Sequence, residues 1–242
     1  MNILDYVRIE TSTVSDGNMS YFYDEEDIVL SNKLKFWEKH NFKYINTYQI
    51  WSNTEEFNHV KLVNNLPKEF TTVPEIDSLI KDHKNAVLAL LTGDCLQITV
   101  FDRRNKVLTL IHAGFKWQDA GIIDKTFKVM EENFIINPKD ILVHLGNCIS
   151  PEYYRWDENI LNNTNKDSYI SKTLEKDNHS ERPYKIDLRK AAILNLIDIG
   201  VLEKNILDSN IDCYTDKKYF SHVRSIGTGE KDGRHVTLVQ MK

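Results

Sequence analysis

Between residues 85 and 146 the chain alternates uninterrupted apolar runs with charged turns. "NAVLALLT", "LQITVF", "KVLTLIH" and "DILVHLG" are short for helices and too apolar for half-exposed strands, so they predict strands buried on both faces. The "DRRN" turn between the second and third runs predicts an adjacent antiparallel pair. Between the third and fourth, "WQDAGIIDKTFKVMEENF" repeats its apolar positions at helical spacing. "EDIVLSNKLKFWEKHNF" and "IDLRKAAILNLIDIGV" carry the same period, the latter closed by Gly200. "YINTYQIW" reads as a strand running into a loop, and "RHVTLVQM" as a terminal strand. Up to about residue 65 the pattern is otherwise weak. Helices alternating with buried strands indicate an α/β protein. The polar interval 162–184 reads as an exposed insertion.

Hydrophobic residues fill 41% of the 242 positions, enough for a sizeable core. No Pro-, Gly- or Ser-rich linker and no repeat divides the chain, so residues 1–242 are expected to form one domain. A net charge of -5 argues against non-specific nucleic-acid binding, which needs a basic surface. No apolar run reaches membrane-spanning length, and "MNILDYVRIE" lacks the pattern of a secretory signal. A cytoplasmic protein is expected, with no membrane partner. Three sparse cysteines, Cys95, Cys148 and Cys213, fit reduced thiols better than a disulfide framework.

Candidate chemistry starts at the predicted strand pair. Cys95 precedes "LQITVF" and His112 closes "VLTLI", so pairing brings a thiol and an imidazole to the same edge of a sheet. Such a pair serves a soft metal held by sulfur and nitrogen, or a thiolate activated by a base. A small buried thiol and a strand-end imidazole also occur with no chemistry attached. Asp119 marks a helix start after "HAGFKW", which would turn unpaired N–H groups toward His112 and suit an anion.

These motifs resemble the YfiH-type laccase-domain family, also called the polyphenol oxidase or purine nucleoside phosphorylase family. "LTGDCLQITVFD" is similar to its "ADCLP" strand, "LTLIHAGFKWQDAGIIDKTFKVM" to its "HAGWRG" strand and helix, and "HLGNCISPEYY" to its "GPxIGPxxYEV" turn. "DCYTDKKYFSHVRSIGTGEKDGRHVTLV" resembles its "CTxxxxxxFFSYRR...GR" ending. The similarity covers most of residues 75–242, in order. It implies an α/β fold with mixed β-sheets sandwiched between helices. It also implies one zinc or copper ion bound by two histidines and a cysteine, and activity on purine nucleosides. Phosphate would attack the ribose C1′, releasing the purine and ribose 1-phosphate. Adenosine deamination and methylthioadenosine cleavage are further activities ascribed to the family.

Carried residue by residue, the resemblance makes Cys95 and His112 metal ligands. The family's first ligand sits in "QVHG", whose counterpart here is "QIWS", with Trp51 at the histidine position. Tryptophan offers only an N–H donor and cannot coordinate zinc through its neutral ring. His59, eight positions later, is the nearest substitute for the third ligand. Phe115 and Lys116 stand for Trp-Arg, leaving Lys116, Arg224 and Arg234 as cations for phosphate or substrate. Asp94 is assigned to orient His112 or a bound water. Two alternatives stand beside the phosphorylase reading: a metal-free hydrolase or amidase using Cys95 and His112, and a binding module that has kept the fold without the chemistry.

Overall fold

The computed structural model describes residues 2–52, 55–178 and 181–242. In chain order its strands are β1 (Val7–Thr11), β2 (Thr47–Trp51), β3 (Val60–Val63), β4 (Thr71–Pro74), β5 (Ser78–Lys81), β6 (Val87–Thr92) and β7 (Leu96–Asp102). They continue with β8 (Val107–Ala113), β9 (Ile141–Leu145), β10 (Arg155–Trp156), β11 (Glu175–Lys176), β12 (Tyr184–Lys185), β13 (Ile206–Asp208) and β14 (His235–Met241). The helices are α1 (Glu26–Lys39), α2 (Phe115–Asp119), α3 (Ile122–Asn133), α4 (Ile160–Asn163), α5 (Tyr169–Lys172), α6 (Leu188–Ile199) and α7 (His222–Thr228).

Two mixed sheets carry the architecture, ordered β1-β14-β6-β2-β4 and β13-β9-β7-β8-β5-β3. A side chain's parity along each strand decides which layer it enters. On β6, Leu88 and Leu90 point between the sheets, while Val87 and Ala89 pack with Phe36 and Trp37 of α1. On β7, Ile98 and Val100 meet Phe127 and Met130 of α3, whereas Phe101 enters the space between the sheets. Both faces of these strands are buried, which accounts for their unbroken apolar runs. The order helix, sheet, sheet, helix is the α/β sandwich expected. No described helix is long and apolar enough to cross a membrane.

Three local expectations change. The helix expected over 117–134 is two helices, α2 and α3, separated at Gly121 with φ +81°, a left-handed conformation that an L side chain resists. Asp119 therefore ends α2 instead of starting a helix, and its carboxylate accepts from Asn165 N–H and Ser168 Oγ. The polar interval 162–184 is not a bare loop. Ile170 and the neighbouring Ile160 are buried in the core, and β12 pairs with β10 and β11.

Candidate functional site

The Cys95/His112 question is answered by register. β7 and β8 are antiparallel with Gln97 opposite His112 and Leu96 opposite Ala113. Continuing that register sets Cys95 opposite Gly114. Cys95 and His112 thus share one face of the sheet as a diagonal pair, a relation that separates Cα atoms by ~7–8 Å. A side chain at 114 would collide with this arrangement: a Cβ there would lie 2.6 Å from Cys95 Sγ and 2.7 Å from Trp117 Cε3.

His112 lines a cavity of about 610 Å³ together with Phe22, Tyr23, Trp51, Trp117 and Arg234. Its Nδ1 lies 2.8 Å from Ser52 Oγ, and its ring is 3.9 Å from the Trp117 ring. Trp117 is itself anchored, its indole N–H donating to Asp77 Oδ1 at 2.5 Å, while Asp77 Oδ2 accepts from His59 N–H at 2.9 Å. Trp51 ends β2 and stacks on Phe22 at 5.4 Å. Burial, reinforced by the charge of Arg234, pushes the His112 imidazole down to about 3, so it is neutral at physiological pH. Burial and the adjacent Asp94 push the Cys95 thiol up to about 12, keeping it protonated.

Arg234 reaches the cavity as a fixed cation. Its Nη1 donates to Asp232 Oδ1 at 2.9 Å and to Gly233 O at 2.6 Å, and Nη2 donates to Tyr23 Oη at 2.6 Å. The guanidinium also lies over the Tyr23 ring. Next along β14, buried His235 has Nε2 3.0 Å from both Thr92 Oγ1 and Asn147 Nδ2, which ties down the strand end that presents Arg234.

The other expected residues lie elsewhere. Arg224 is buried and its guanidinium is spent on the protein: it donates to Glu230 and to the carbonyls of Cys213, Tyr214 and Tyr219. It braces a loop. Lys116 lines a different cavity of about 750 Å³ with Phe115, Asp119 and Trp156, its Nζ over the Phe57 ring. Asp94 makes no hydrogen bond to His112, whose Nδ1 is engaged by Ser52. Its Oδ2 instead accepts from Val223 N–H at 2.8 Å and secures the start of α7. His59 Nε2 is 3.2 Å from Glu56 Oε2 and its side chain is 40% exposed, so it is turned to that carboxylate and not to Cys95 and His112. Ser52, Asp77 and His235 carry no sequence signal as site residues, while Trp117 closes the "HAGFKW" segment, on α2. Ser52, Asp77 and His235 join the site only because β2, β5 and β14 are brought beside β6 and β8.

Residues 9–242 match the family described as multi-copper polyphenol oxidoreductase laccase. The chain belongs to this family. The match begins well before residue 75, so the weakly patterned N-terminal part is included. A purine nucleoside phosphorylase of Clostridium acetobutylicum is 26% identical over 169 residues, covering 69% of this chain and 68% of that protein. Purine nucleoside phosphorylase YlmD of Bacillus subtilis is 27% identical over 173 residues, covering 71% of this chain and 61% of YlmD. The chain thus spans about three fifths of YlmD's length. The crystal structure of YfiH from Bacillus licheniformis superposes with a TM-score of 0.79 at 21% identity, covering 93% of this chain and 85% of that one. That likeness establishes the fold.

The family implies metal binding, and the donor set here does not fit it. Among the described residues no group of three or more His, Cys, Asp or Glu side chains is placed to hold a metal ion. A catalytic zinc normally has three protein ligands. Here Trp51 stands where the resemblance expects one of them, and His59 is engaged with Glu56.

Proposed function

We propose that this chain is a purine nucleoside phosphorylase-like protein that takes a nucleoside into the cavity beside His112. The observation that carries the reading is the convergence of Trp51, Trp117, neutral His112 and Arg234 on one cavity of about 610 Å³. That size suits a small ligand. Indole faces accept a planar base, worth ~1–3 kcal/mol per stacked base. Arg234 stays charged at all relevant pH, and with three contacts on Nη1 and Nη2 it keeps further N–H groups for an anion. In phosphorolysis a phosphate oxygen bonds to C1′ as the glycosidic C–N bond breaks. The bonding pair leaves with the purine, which takes up a proton. Arg234 is assigned to the phosphate and His112 to hydrogen bonding within the cavity.

A second reading, nucleoside binding without turnover, is favoured by Trp51 at the expected ligand position. The Cys95 hydrolase reading loses support because burial and the adjacent Asp94 push the thiol up to about 12, which disfavours the thiolate that a nucleophile needs. Chromatographic assay of adenosine and inosine with and without phosphate separates the first two. Phosphate-dependent release of base with ribose 1-phosphate, lost in Arg234→Gln, supports phosphorolysis. Binding seen by calorimetry with no product in either condition supports the second reading, and absence of both refutes the proposal.

A further inference from the structure

We infer that this site works without the family's metal ion: Trp51 and Trp117 have turned the ligand position into an aromatic wall, and Arg234 supplies the positive charge. The inference rests on the nucleoside reading only for the identity of the ligand.

Four observations converge. The first ligand position is Trp51, whose ring is committed to Phe22. The face of His112 is covered by the Trp117 ring at 3.9 Å. The family motif "HAGWRG" ends in glycine where this chain has Trp117, so an indole fills space that glycine leaves open. That indole lies beside both inherited ligands, since its Cε3 and Cys95 Sγ approach one point next to Gly114 at 2.7 and 2.6 Å. It is also locked, because Asp77, fully buried, accepts its N–H. Finally, Arg234 lines the same cavity as His112, and Asp232 and Tyr23 fix its position. A guanidinium held at the cavity wall offers an anion what a metal ion would offer: localised positive charge, here with directed N–H donors.

The test uses the full chain after dialysis against EDTA, titrated with zinc chloride in competition with a chromogenic chelator. The variants are Trp51→His, Trp51→His/Trp117→Gly and His112→Ala, with circular dichroism to confirm folding. Wild type is expected to bind no stoichiometric zinc tighter than about 1 µM, well short of a preformed zinc site. The folded double variant should gain at least about tenfold in affinity, the scale on which the surroundings of a ligand matter. One tight equivalent in wild type that His112→Ala abolishes would overturn the inference. So would a folded double variant no tighter than wild type. Adenosine binding, followed in the same EDTA-treated protein by tryptophan fluorescence, is a separate readout. Its absence both before and after zinc addition sinks the nucleoside reading alone, whereas adenosine binding that appears only after zinc addition overturns metal independence.

Discussion

Lys81 gives the sharpest test of the fold's energetics. It ends β5 with its residue fully buried, and its ammonium donates to the His83 carbonyl at 2.8 Å. Burial pushes its pKa down from 10.5 to about 7, against a smaller opposing pull from Asp82. A lysine depressed on folding binds fewer protons in the native than in the unfolded chain between those two values, so stability rises with pH across that interval. Each unit of pH there is worth up to ~1.4 kcal/mol. From pH 7 to 8.5 the amine starts half-protonated, so the gain from Lys81 is ~1.5 kcal/mol. Lys81→Met keeps the length and burial and removes the titration. Urea unfolding of both proteins in reductant at pH 7, 7.75 and 8.5 should show wild type gaining on the variant by that amount. The comparison cancels the buried cysteines, whose raised pKa values oppose the trend as pH passes their unfolded value. Parallel pH profiles for the two proteins would refute the argument that a buried ammonium sets this slope.

On the acid side, His112 and His235 are both pushed down to about 3 by burial and then by Arg234. The unfolded chain therefore binds more protons as pH falls from 6.5 toward 4, and stability should drop by up to ~3 kcal/mol per pH unit for the pair. Replacing His235 with Gln should remove about half of that slope in acid-titrated unfolding curves. Arg224→Leu should cost ~2–4 kcal/mol, because it removes the guanidinium that satisfies the carbonyls of Cys213, Tyr214 and Tyr219, while exposed Glu230 is solvated. Adenosine affinity measured in the folded fraction should not change, since Arg224 lies outside the His112 cavity.

Legibility followed burial. The strands from Val87 to Ala113 announced themselves because both faces are apolar, so composition alone marked them. β5 was invisible for the opposite reason: "SLIK" buries Ser78 and Lys81 as fully as Leu79 and Ile80, and a polar residue in a core layer reads as surface. β1 and β3 have few residues, with intermediate exposure throughout most of their length, which blurs alternation, and β4 is four residues with only Val73 buried. The diagonal placement of Cys95 and His112 could be read because a short turn joins their strands, making the pairing local. Arg234 was found through the family's terminal arginine. Its tether Asp232 is local, two residues back, but Tyr23 depends on the first and last parts of the chain meeting, which no local pattern encodes.

The substitutions around His112 belong to one another structurally, and this bears on how any restored metal site would behave. Ser52 follows Trp51 directly and holds His112 Nδ1, while Trp117 lies on the same imidazole and is fastened to Asp77. Putting histidine at 51 supplies a nitrogen but leaves the indole in place beside Cys95 and across the face of His112. Removing Trp117 alone opens space but adds no donor. Residues that share one partner couple, typically by ~0.5–3 kcal/mol, so the two changes together should improve zinc affinity by more than the product of their separate effects. Affinities that multiply independently would mean that Trp117 does not obstruct the position and that the lost ligand at Trp51 is the whole of the difference.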